Sequence, residues 1–190
     1  TIYGSLYLLE TLVTIFVMAV FSPRLLRRFG KRNMSLGGVL ICFIGHVIFL
    51  LNPTDFGWVV FSCVVRGIGF APIQSVIFGF IGDAVEYGQW KTRLRQEGLI
   101  FSGGSVGTKV GSGLTSALLT GLLSYAGYIS SSAGSVMQSQ QVIDMIVSIY
   151  MWGPIFVWIV LIVVLYFYEL DQKYPEIMRD LVAREARGEM

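Results

Sequence analysis

The chain has 190 residues, of which 54% are hydrophobic and only 14% charged, and its mean hydropathy is +0.69; ordinary soluble domains carry about 25% charged residues. That balance argues against a soluble enzyme and for a membrane protein. The net charge of +2 does not describe a nucleic-acid-binding face either, because the basic residues are confined to short stretches between apolar blocks.

Five apolar blocks, at about 2–21, 34–51, 57–81, 99–125 and 142–168, are each long enough to cross a hydrocarbon core of roughly 30 Å. They predict an all-α, polytopic membrane protein, with a transmembrane bundle over 1–168 and a tail over 169–190. The chain begins at Thr1 rather than Met, and its first block lacks the charged n-region and cleavage site of a signal peptide, the pattern expected of a fragment or a processed chain. Arg24, Arg27, Arg28, Lys31 and Arg32 follow block one; Lys91, Arg93 and Arg95 follow block three; Lys173, Arg179, Arg184 and Arg187 lie in the tail. The other two connections, 52–56 and 126–141, hold no Lys or Arg. By the positive-inside rule the basic connections and the C-terminus face the cytoplasm and the N-terminus lies outside.

Asn52-Pro53-Thr54-Asp55 reads as a tight external turn. The external stretch 128–141 is polar and expected to be flexible, with the last span starting near Gln141 and Asp144 in its first turn, where its carboxylate is expected to cap the helix. Cys42 and Cys63 sit inside apolar blocks and read as inert packing residues. In the tail, Ile177, Met178, Leu181 and Val182 form one stripe of a short amphipathic helix, which can lie on the membrane surface or against the protein's own loops.

An ionisable side chain at mid-span costs about 2.5–3.5 kcal/mol on insertion scales, so each one needs a reason. Lys109 falls near the middle of block four, with Ser102, Ser105, Ser112 and Ser116 on its helical face, while Gly103, Gly107 and Gly111 offer a second face for close helix packing. Arg66 and Glu10 are similarly deep and are expected to form a buried charge pair, serving either the fold or a transport pathway. His46 reads as a hydrogen-bonded helix residue rather than a proton relay. Gln74 follows Gly67, Gly69 and Pro72, which predict a broken span, and is a candidate cavity residue. The run GGSVGTKVG lacks the Gly-Lys-Ser/Thr order of a phosphate loop, and neither a zinc-ligand cluster nor a nucleophile elbow is present, so no catalytic or metal-binding residue is expected.

Asp83, Glu86, Tyr87, Gly88, Trp90, Lys91, Arg95, Glu97 and Gly98 fit the pattern D-x-[VI]-[DE]-Y-G-x-[WYF]-K-x-x-x-R-x-E-[GS], followed a dozen residues later by the membrane lysine Lys109. On these residues the chain resembles the glycoside-pentoside-hexuronide:cation symporters, the melibiose-carrier-like branch of the major facilitator superfamily. The resemblance implies the last five of twelve spans, all in the second six-helix half of a carrier whose N-terminal half is a missing partner in the bilayer. It implies secondary active symport of a glycoside, pentoside or hexuronide with Na⁺ or H⁺ as coupling ion, by alternating access in the plasma (inner) membrane, with no other cofactor. Lys109, Gln74, Ser105, Ser112 and Arg66 become candidate substrate or coupling residues. Asp83, Glu86, Tyr87, Lys91, Arg95 and Glu97 become a cytoplasmic loop that closes the inner gate. Two departures stand out: the basic connection carries Arg27 where an acidic residue is expected, and Gln74 replaces an aromatic of some sugar carriers. The competing expectations are a lipid or drug carrier on the same scaffold and a non-transporting membrane scaffold.

Overall fold

A computed structural model describes residues 2–129 and 137–187. Among them the chain forms six α-helices in the order α1 (Ile2–Val20), α2 (Ser22–Leu51), α3 (Phe56–Thr92), α4 (Glu97–Tyr125), α5 (Gln140–Phe167) and α6 (Leu170–Ala186), and no strand. α1, α2, α3 and α5 are long and apolar enough to cross a membrane. α4 has the length, 29 residues, but its glycines, hydroxyls and Lys109 leave it without a stretch as apolar as those of the other four. Within the external stretch 128–141, residues 130–136 lie outside the described residues.

The centre of the bundle is the antiparallel α2–α3 pair, which packs through glycines. A Cβ on Gly38 would stand 2.6 Å from the Gly69 carbonyl oxygen, and one on Gly69 would stand 2.6 Å from the Cys42 backbone nitrogen. Small residues let two backbones approach this closely in a membrane. Gly67 does the same for α1, where an added Cβ would lie 2.9 Å from the Glu10 carbonyl oxygen. Gly67, Gly69 and Pro72 therefore mark contact points, and α3 runs through them as one helix, not as the broken span expected from sequence. Pro72 costs one ladder bond, and Ser75 Oγ donates to the Pro72 carbonyl at 2.8 Å in the same turn. Conversely, Gly103, Gly107 and Gly111 on α4 meet nothing within 4 Å, so close packing on that face is absent among the described residues.

The Asn52–Asp55 turn forms as expected, with Asp55 Oδ1 accepting from the Trp58 N–H at 2.9 Å and the Trp58 indole donating back to the Ile48 carbonyl at 2.6 Å. α5 packs on α2 through a T-shaped Phe49–Tyr150 contact and through His46, whose Nε2 lies 3.1 Å from the Met151 carbonyl oxygen. Ser139 caps α5, while Asp144 lies beyond the first turn and accepts from the Gln140 amide at 2.9 Å, so the expected capping role of Asp144 does not hold.

Both basic connections turn out to be mostly helical. The first is the opening of α2, bent at Gly30, whose φ of 75° suits glycine and where an added Cβ would stand 2.7 Å from Asp171 Oδ2. The second is the end of α3, whose 37 residues rise roughly 55 Å, well beyond a hydrocarbon core of about 30 Å. Asp83 through Thr92 are therefore exit turns of a continuous helix, and only 93–96 form a connection, turned by Arg93 at φ 60°.

Candidate functional site

α1 and α3 cross at Gly67, and on one side of the crossing they leave a cleft of about 410 Å³. Its α1 wall carries Tyr7, Glu10, Thr11 and Thr14, and its α3 wall carries Phe70 and Gln74. The α1 residues recur at intervals of three and four, so they share one helical face. Sequence reasoning singled out Glu10 and missed the rest of that face, although its spacing was visible. Thr11 Oγ1 donates to the Tyr7 carbonyl at 2.8 Å; Thr14 Oγ1 donates to the Glu10 carbonyl at 2.8 Å and reaches the Gly67 carbonyl at 3.1 Å. The second Thr14 contact ties the two walls together.

Behind the cleft, Arg66 Nη2 donates to Glu10 Oε2 at 3.1 Å and to Cys63 Sγ at 3.2 Å. The ion pair expected from sequence thus has the geometry of a single-nitrogen contact, with Arg66 12% and Glu10 30% exposed at the side chain. Arg66 Nε is buried without a partner. Cys42 and Cys63 are both buried and free, and Cys42 Sγ lies 3.5 Å from the Arg66 carbonyl oxygen.

Lys109, Ser105 and Ser112 lie on α4, exposed and outside this cleft. Ser105 Oγ donates to the Phe101 carbonyl at 3.2 Å and Ser112 Oγ to the Lys109 carbonyl at 3.0 Å, so both hydroxyls turn back on their own helix. Arg66, Glu10 and Gln74 are brought together; Lys109 is not brought to them among the described residues.

The family-signature residues divide in two. Asp83 is buried and takes an ion pair from Lys31 of α2, and the Lys31 ammonium also sits 4.7 Å from the Tyr174 ring centroid. Trp90 donates its indole N–H to Asp180 Oδ2 at 2.7 Å, and Arg184 bridges Asp180 at 2.6 Å and the Trp90 carbonyl at 3.0 Å. Arg32 donates through Nε to the Leu165 carbonyl at 2.9 Å and through its backbone N–H to Asp171 Oδ2 at 3.1 Å. Burial, followed by the Glu86 carboxylate, raises the Tyr174 phenol above its ordinary range. Ile177 and Leu181 are buried in the same seam. Hence α6 docks on the ends of α2 and α3 through Ile177 and Leu181, while Val182 of the same expected stripe is exposed. In contrast, Arg95 and Glu97 pair with each other in the open, and Lys91 lies 5.8 Å from the Tyr87 ring centroid. The partners Lys31, Tyr174, Asp180 and Arg184 were not legible because they come from segments 50 to 100 residues away, beyond any local spacing.

α4 and α5 enclose a second, almost wholly apolar groove of about 880 Å³. Among the described residues, no group of three or more His, Cys, Asp or Glu side chains is placed to hold a metal ion.

A family model described as MFS/sugar transport protein matches residues 4–172. An isoprimeverose transporter of Lactiplantibacillus pentosus is 32% identical over 174 residues, covering 88% of this chain and 35% of that protein. A Salmonella typhimurium protein provisionally named as a sulfoquinovose importer is 28% identical, covering 92% of this chain and 36% of its own length. A glucuronide carrier protein homolog of Escherichia coli is 27% identical, covering 97% and 40%. The chain therefore spans only 35% to 40% of the length of these relatives. No solved structure matches it.

Proposed function

The chain belongs to the MFS/sugar transport protein family, and from that premise we propose that it forms part of a secondary active symporter for a glycoside, pentoside or hexuronide. The observation that carries this reading is the α1–α3 cleft, where hydroxyls, a carboxylate, an amide and an aromatic ring line a space of about 410 Å³ between apolar helices. Small-molecule sites commonly occupy about 300–1,000 Å³ and combine apolar walls with a few orienting polar groups. An ionisable side chain inside a membrane span, here Glu10, marks a functional site by default.

In this reading the chain supplies the last five spans of an alternating-access carrier in the plasma membrane, its C-terminus cytoplasmic, and the complementary half closes the cleft. The coupling ion is Na⁺ or H⁺. Lys109, with Ser105 and Ser112 on the same helix, faces the central pathway once the halves are assembled and links substrate to ion occupancy by its charge. The Lys31–Asp83 pair and the α6 contacts at Trp90 form the inner gate region, whose pairs exchange as the halves rock.

The test is uptake of radiolabelled glycosides and uronides by membrane vesicles containing the complete carrier, under imposed Na⁺ or H⁺ gradients. Accumulation against the sugar gradient that collapses with the ion gradient is expected. Equal, gradient-independent leakage of every sugar tested would contradict the proposal.

A further inference from the structure

We propose that Glu10 makes the α1–α3 cleft selective for neutral, hydroxyl-rich ligands and against those carrying a carboxylate or sulfonate. The inference rests on the carrier reading above and names the substrate class of its cleft. Tyr7, Thr11, Thr14 and Gln74 supply hydroxyl and amide groups, and Phe70 supplies an apolar surface for the C–H face of a sugar ring. Glu10 is the one charged side chain in this lining.

The nearest cation does not cancel it from the ligand's side. Arg66 is absent from the lining, is mostly buried, and directs Nη2 at Glu10 Oε2 from behind. Lys109 lies on α4, outside the cleft among the described residues. A ligand in the cleft therefore meets a carboxylate before it meets a guanidinium. Hydroxyl groups donate hydrogen bonds to such a carboxylate, and a charged acceptor makes those bonds stronger than a neutral one would. A second anion brought beside it in a poorly hydrated space suffers like-charge repulsion, the repulsive element from which discrimination is built.

The experiment compares uptake by the complete carrier of matched ligands that share a ring and differ at C5. Methyl β-D-glucoside and methyl β-D-xyloside are set against methyl β-D-glucuronide, and methyl β-D-galactoside against methyl β-D-galacturonide. Wild type is expected to prefer the neutral member by about tenfold or more. Glu10→Gln, which keeps an oxygen for Arg66, is expected to shrink that preference by about tenfold. Gln74→Lys leaves the ion pair intact and adds a positive charge at an exposed position of the same lining, so it shifts the ratio toward the uronide even if Glu10→Gln proves unstable. A merely structural role for Glu10 changes total activity without changing the ratio. Wild-type preference for the uronide, or an unchanged ratio in both variants, overturns the inference while leaving the carrier reading intact. Failure of a folded carrier to take up any of these sugars overturns the carrier reading and the inference together.

Discussion

Arg66 and Glu10 are the two charges that the apolar interior must accommodate together, and their geometry shows how little slack there is. One nitrogen of the guanidinium reaches one carboxylate oxygen at 3.1 Å, and Arg66 Nε has no partner. Removing one member leaves the other charge uncompensated, which for buried pairs costs about 3–5 kcal/mol, whereas replacing both with apolar residues is often neutral. Glu10→Ala is thus expected to lower the thermal unfolding midpoint sharply, and Glu10→Leu with Arg66→Met to recover most of the loss. Singles as stable as wild type in the same melt would contradict this. Lys109 predicts the opposite pattern. It lies on an exposed face with no pairing side chain among the described residues, so Lys109→Ala should leave insertion and melting unchanged. In gradient-driven uptake it should abolish accumulation, and normal accumulation by that variant would remove Lys109 from the pathway.

At the scale of elements, the α2–α3 contact makes a sharp distinction between two adjacent glycines. An added Cβ on Gly38 would meet the Gly69 carbonyl at 2.6 Å, whereas one on Gly37 would meet nothing within 4 Å. Gly38→Ala must separate two backbones, an overpacking cost of about 1–3 kcal/mol. Gly37→Ala gains helix propensity worth about 1 kcal/mol. The yield of detergent-stable protein by size-exclusion chromatography should fall for the first and hold or rise for the second. α6 gives a comparable test, because Trp90→Phe removes the indole bond to Asp180 at 2.7 Å while keeping the ring. A loss of about 1 kcal/mol is expected, seen as faster proteolysis within α6; an unchanged cleavage rate would mean the bond does not hold the helix. Much at this scale was legible in the sequence: the apolar blocks, the Asn52–Asp55 turn and the Glu10–Arg66 pair all rest on local spacing or on a depth that length alone fixes. The reading failed where a residue type has two uses. Gly67, Gly69 and Pro72 looked like helix breakers, but here they are contact points, because glycine serves close approach as readily as backbone freedom. The basic connection and the signature stretch looked like loops because they are charged, yet both extend helices past the apolar blocks, where charge and helix coexist without penalty. The docking of α6 depends on pairs such as Lys31–Asp83 and Trp90–Asp180, which no local pattern encodes.

For the whole molecule, the central claim is that the α1–α3 cleft is a wall of the sugar pathway in a cation-coupled carrier. Apolar surface elsewhere is consistent with lipid or with the complementary half: α4 has no buried residue, and α5 presents rings such as Trp152 and Phe156 outward. The cleft, by contrast, gathers a carboxylate, hydroxyls and an amide on facing walls of two apolar helices. Both cysteines of this chain are buried, Cys42 at 0% and Cys63 at 2% exposure, so neither competes for label with a cysteine introduced at the exposed Gln74, and the carrier without that substitution sets the background. The decisive measurement is the rate at which a membrane-permeant maleimide labels Gln74→Cys in the complete carrier, with and without a transported glycoside and the coupling ion. Slower labelling with sugar, and slower still with sugar and ion together, is predicted. A rate unaffected by saturating sugar, in a variant that still transports it, would contradict the placement of the substrate in this cleft.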